Sequence, residues 1–242
     1  MSLAEIRSLG GKLAVALTGL AVPAAAQAAI VVSSSGPSSA AYPVGTKLPD
    51  AGTITLRQGD TVTVLDAKGT RVLRGAGTFA VSSASQPNKA STFAVLTMQR
   101  SAQRVRTGAV RSGKDGTPPA SPNLWFVDVA KSGTRCVVAG QPVRFWRLDT
   151  AGAATYTAKL ASGASVAVPF AAGAMVAPWD TAKYPVADGA SLAVSQGGKP
   201  VSQITFAVLA NQPANPEAMA EALLARGCSA QVELLSSTLA QP

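Results

Sequence analysis

From Tyr42 onward, turn residues divide this chain into short apolar runs, and that punctuation restricts it to β-structure. Ile54 and Leu56 alternate with Thr53, Thr55 and Arg57, the period of a half-buried strand. Gln58-Gly59-Asp60 breaks the run, after which Val62 and Val64 resume the alternation against Thr61 and Thr63. Asp66-Ala67-Lys68-Gly69 marks a tight reversal. Val72, Leu73, Phe79 and Val81 follow, interrupted at Gly75 and Gly77. Strands recurring roughly every 8–12 residues suit a small sandwich or barrel. The 22 glycines, 16 prolines and 14% charged residues agree with frequent turns, and 47% hydrophobic residues argue against disorder.

The second half continues the pattern. Runs at 124–129, 135–138, 143–148, 155–160, 165–170, 191–195 and 203–209 read as strands. Ala161-Ser162-Gly163-Ala164 and Gln196-Gly197-Gly198-Lys199 read as hairpin turns between flanking pairs. Asn215-Pro216-Glu217 is a helix start and Gly227 its stop. The alternation of Val232 and Leu234 predicts a last strand after Cys228. Between the halves, residues 91–106 lack Gly and Pro, and Val95, Met98, Ala102 and Val105 predict one amphipathic helix capped by Ser91 or Asn88. Ser112 to Pro122 reads as a linker. The expected fold class is therefore mainly β: two small β modules, one helix between them and one near the C-terminus. The divisions are 1–28, 29–90, 91–123 and 124–242.

Residues 1–28 read as a cleaved secretory signal. Arg7 and Lys12 precede an apolar stretch, Leu13 to Ala26, and Ala26-Gln27-Ala28 supplies the small-x-small site that places the mature start at Ala29. The stretch is short for a membrane span and contains Pro23. The expected localisation is periplasmic or secreted. In an oxidising compartment the two cysteines, Cys136 and Cys228, predict a disulfide. The chain has no histidine, which removes the commonest general base and metal ligand, and no cofactor is expected.

The formal charge is +9, or +8 without the leader. For an exported chain the expected partner is an envelope protein or an anionic envelope component rather than nucleic acid, and a peripheral membrane contact fits the same charge. Arg100, Arg104, Arg106, Arg111 and Lys114 form the candidate partner-binding run, with a solvated helix end as the plain alternative.

Val44 to Phe79 resembles the FecR-type periplasmic domain. The resemblance rests on Gly45-Thr46-Lys47-Leu48, Gly59-Asp60-Thr61-Val62, Lys68-Gly69-Thr70-Arg71-Val72-Leu73 and Gly75-Ala76-Gly77-Thr78-Phe79. Val143 to Leu209 resembles a fibronectin type III-like sandwich. Trp146 and Tyr156 stand as its core tryptophan and strand tyrosine, and Asp188-Gly189-Ala190-Ser191-Leu192-Ala193-Val194 as its corner. Leu192 occupies the place of the usual corner tyrosine. The resemblances imply a two-module, β-rich bacterial envelope protein, and neither brings catalytic residues.

Other motifs weigh little. Gly75-Ala76-Gly77 lacks the strand-to-helix context of a dinucleotide loop. Asp60, Asp66, Asp149 and Asp188 stand in turn-like contexts, where aspartate bonds local backbone. Trp125, Phe126, Phe145, Trp146, Trp179 and Tyr184 read mainly as core, with Trp179, between Pro178 and Asp180, as the candidate exposed ligand aromatic. The expectation is an exported, non-enzymatic protein that works by protein–protein or envelope contact, with a signalling connection as one form of it. The alternatives are a carbohydrate-binding module using Trp179 and, third, an Asp/Glu-dependent hydrolase.

Overall fold

A computed structural model describes residues 27–82, 88–98 and 121–240. The first unit contains β1 (Gln27–Ser35), β2 (Lys47–Pro49), β3 (Thr53–Leu56), β4 (Thr61–Asp66), β5 (Thr70–Arg74) and β6 (Gly77–Ala80). Four of these form a sheet in the order β2-β1-β4-β5, while β3 and β6 pair separately. The threonine-rich alternation behaves as expected: Val62 and Val64 enter a core with Ile54, Leu56 and Leu73. The apolar run of β1 is buried on both faces. Ala29 and Val31 join that core, whereas Ile30 and Val32 point into a different one. Of the expected leader, residues 1–26 lie outside the described residues, and Gln27 and Ala28 open β1.

Helix α1 (Ala90–Thr97) follows, and its face differs from the expected one. Phe93, Leu96 and Thr97 are buried, while Val95 and Met98 are exposed. The i, i+3 pattern set on Val95 described the solvent side. Met98 is already extended, so the helical spacing stops there, and the rest of the expected helix lies outside the described residues. Lys89 is the N-cap residue and makes no side-chain cap; Asn88 Oδ1 accepts from Ala90 N at 2.8 Å.

The second unit contains β7 (Phe126–Asp128), β8 (Gly133–Val138), β9 (Arg144–Trp146), β10 (Ala154–Leu160), β11 (Ser165–Phe170), β12 (Val176–Pro178), β13 (Ser191–Gln196) and β14 (Lys199–Leu209). They form two open sheets, β11-β10-β13-β14-β8 and β12-β9-β7, which enclose one core. The β13–β14 turn needs two residues at positive φ, supplied by Gly197 (56°) and Gly198 (78°). Gly163 (φ 89°) serves the β10–β11 turn. β12 was not foreseen, because three residues are too few to show alternation. Two pairings are parallel, β8 with β14 and β7 with β9.

Two further helices, α2 (Pro216–Ala225) and α3 (Ser229–Ala240), pack between the units. Asn215 caps α2, its Oδ1 accepting from Ala218 N at 2.8 Å. Gly227 (φ 71°) ends it, with Cys228 N reaching back to Leu223 O at 2.9 Å. The strand expected from Val232 and Leu234 is α3. Val232, Leu235 and Leu239 are its buried stripe at helical spacing, and Leu234 only flanks it. This stripe belongs to one core cluster with Ile30, Val32 and Leu65 of the first unit, and Cys136, Val138, Ala207 and Leu209 of the second. β8 is thus covered on both faces, since Val137 points into the sandwich core.

Cys136 and Cys228 form a disulfide across 92 residues. Beside it, Gln231 treats β8 as a missing neighbour strand would. Its Oε1 accepts from Cys136 N (2.6 Å), and its Nε2 donates to Cys136 O and Leu124 O (2.9 Å each). β8 is an edge strand, so without this amide a buried N–H and C=O would stand unpaired.

Replacing both Cys136 and Cys228 by Ser should lower stability by about 4–5 kcal/mol, the loop-entropy value for a bridge of this span, in urea unfolding. Alkylation of both thiols in denaturant without reductant would contradict the bond. Gln231→Met keeps the volume but leaves the Cys136 amide groups unpaired, and should cost about 2–4 kcal/mol in the same assay. A loss below about 1 kcal/mol would show that water substitutes freely there.

Candidate functional site

The four turn aspartates do not converge into a site. Asp60 accepts from Ser38 N (2.8 Å) and Arg57 N (2.5 Å), pinning the 36–39 turn to the start of β4. Gly36 is obligatory beside it: at φ 101°, a Cβ would lie 2.6 Å from Asp60 Oδ1. Asp66 accepts from Lys68 N and Gly69 N, and Asp149 from Ala151 N. Asp188 accepts from Val208 N at 2.8 Å and pairs with Arg226. Near α2, Glu217 lies beside Lys47, Glu221 and Asp66. Burial, chiefly, raises its pKa above the usual carboxylate value; Lys47 lowers it and the two acids raise it. Lys47 pairs with Glu221 at 2.6 Å. Among the described residues, no group of three or more His, Cys, Asp or Glu is arranged to hold a metal.

Trp179 is not an exposed ligand aromatic. It is 6% exposed, packed edge-on against Phe145 at 5.4 Å between ring centroids, and donates from Nε1 to Tyr184 O at 2.8 Å. Its N bonds Val143 O, so β12 and the residue after it follow β9, and the ring is drawn into the sandwich core. Pro178 closes a strand here rather than opening a surface loop. Trp125 and Trp146 are buried as well. Arg147 is buried and holds two loops through Ala174 O, Gly152 O and Ala171 O, with its guanidinium over Phe170.

Arg100, Arg104, Arg106, Arg111 and Lys114 lie outside the described residues. The residues on either side of that segment are described, and they meet. Asn123 Nδ2 donates to Met98 O (3.0 Å), Leu124 N to Leu96 O (3.0 Å), and Trp125 Nε1 to Thr97 O (3.0 Å). These three donors also satisfy the last carbonyls of α1, which its own sequence leaves without a glycine stop.

Sequence reasoning missed one feature besides Gln231. A cleft of about 230 Å³ opens between α3 and the β7–β8 side of the sandwich, and the buried Arg135 lines it. Burial lowers the pKa of Arg135 below the usual arginine value, and the Asp128 carboxylate opposes that shift. The run 135–138 reads as a strand, and a strand reading does not say what lies on either side of it, so nothing marked the arginine.

The aspartate geometry sets a pH dependence. Burial raises the pKa of Asp60, yet hydrogen bonds from Ser38 and Arg57 bring it below the ordinary 3.8. For Asp188 the Val208 amide, then Arg226, lowers it from the same value. A lowered folded pKa means stability that is present above about pH 4 and is lost as pH falls through the folded values. Urea midpoints measured downward from pH 5 should therefore fall, and Asp60→Asn should flatten that decline. An unchanged acid limb in Asp60→Asn would remove this account.

No family model, curated protein or solved structure matches the chain.

Proposed function

We propose that this is an exported, non-enzymatic envelope protein that works by contact, docking an anionic envelope partner through the segment 100–114. The observation that carries the reading is the closure of the chain on either side of that segment. Residues 96–98 and 123–125 are bonded to one another, so the chain on either side of the cationic segment meets at one place. Five Lys/Arg with only Asp115 adjacent carry +4 of the +8 expected for the mature chain. Charge concentrated in this way attracts anionic surfaces at a range of about 8 Å at physiological salt.

Export rests on the small-x-small site before Ala29, and the disulfide supports it, because such bonds persist in oxidising compartments. Among the described residues, no helix is long and apolar enough to cross a membrane. The FecR-like and fibronectin type III-like resemblances favour the same setting, a bacterial envelope.

Sedimentation with envelope fractions across a salt series tests the proposal. Arg104→Gln/Arg106→Gln/Arg111→Gln should weaken association several-fold and flatten its salt dependence. Equal sedimentation of the triple variant and the unmodified chain at every salt concentration would reduce the run to solvated surface.

A further inference from the structure

The cleft at Arg135 asks for an occupant. Arg135 is 5% exposed, and an arginine carries five N–H donors that cannot be shed by deprotonation. One of them goes to Lys131 O at a long 3.4 Å. Arg135 forms no ion pair among the described residues. Asp128, the acid that acts on it through space, already accepts from Ala130 N at 2.9 Å. A buried guanidinium left in this state carries a desolvation cost that a matching anion would offset.

The rest of the lining narrows the class of that anion. Leu124, Phe126 and Leu234 give the cleft an apolar side, and Lys131 adds a second cation. Asp128 and Glu233 line the same space, so a doubly charged phosphate would meet two carboxylates, whereas a singly charged, planar carboxylate suits one guanidinium fork. About 230 Å³ is small beside the ~300–1,000 Å³ of drug-sized pockets, room for a short group only. We propose that this cleft binds a carboxylate borne on a short apolar group, with Arg135 as the fork that grips it. A peptide's C-terminal residue and a free short-chain acid share that chemistry.

Calorimetric titration of the full mature chain tests this with three probes: N-acetyl-alanyl-leucine, its C-terminal amide, and 4-methylpentanoate. The free carboxylate should bind at least about tenfold tighter than the amide, the difference expected for a charge-assisted bond to a buried arginine. Arg135→Met should abolish that preference, and Arg135→Lys should keep only part of it. Tighter binding of the dipeptide than of 4-methylpentanoate assigns the site to peptide ends; the reverse assigns it to free acids. The acid–amide comparison uses the unmodified protein, so a variant that folds poorly does not blunt it. Equal binding of acid and amide, or no heat from either at millimolar concentration, overturns the proposal. So does displacement of the acid by an equal concentration of inorganic phosphate.

Discussion

The molecule depends on how α3 is fastened to the edge strand β8. A sheet edge inside a core would strand backbone amides away from water, at a cost of about 1–3 kcal/mol for each unpaired group. Gln231 removes that cost by presenting an amide to both the N–H and the C=O of Cys136, as a peptide group would. The disulfide fastens the same residue of β8 to the turn before α3. With α3 held there, its stripe of Val232, Leu235 and Leu239 faces β1 as well, and the two β units acquire a common core. The disulfide limits where the helix can be, and the glutamine orients it.

A middle helical layer explains several oddities of composition. β1 carries a continuous apolar run to Val32 and β8 a shorter one, Cys136 to Val138, because both of their faces are covered. The strands away from the layer, such as β3 and β11, keep one wet face and alternate. Buried polar residues cluster where chain segments must be tied without regular pairing. Asp60 gathers the 36–39 turn, Arg147 gathers two loops, and Asn123 with Trp125 closes the end of α1. Arg135 departs from this rule: it is buried against a cleft, and among the described residues its side chain has one long hydrogen bond, to Lys131 O, and no ion pair.

Much of the β-structure was legible because its signal is local. The β10–β11 and β13–β14 hairpins lie where Gly163 and Gly197-Gly198 placed them, and Ser165–Phe170 has the bounds read from the sequence. The failures share a cause. Val95 and Met98 have helical spacing but face outward, since spacing gives a period and not its phase relative to a core. Val232 and Leu234 are two residues apart, which suits a strand until Leu235 and Leu239 are counted with them. Trp179 stands beside proline and aspartate, a loop context in sequence, yet its backbone pairs with Val143 and its ring completes the sandwich.

By itself the sequence determined the fold class, the turns, the limits of α2 and the chemical character of the cysteines. The first three follow from constraints acting over a few residues: positive φ at glycine, side-chain alternation and a capping asparagine; the last follows from composition, two cysteines with no third thiol or histidine. Only the tertiary structure decided that the two β units share a core, which faces the helices bury, and that Gln231 completes an edge strand. It alone brought Arg135 to a cleft and the chain on either side of the basic segment to one place. Those outcomes join residues as far apart as Leu124 and Gln231, and no local preference reports on a contact whose partners are brought together by the packing of the whole chain.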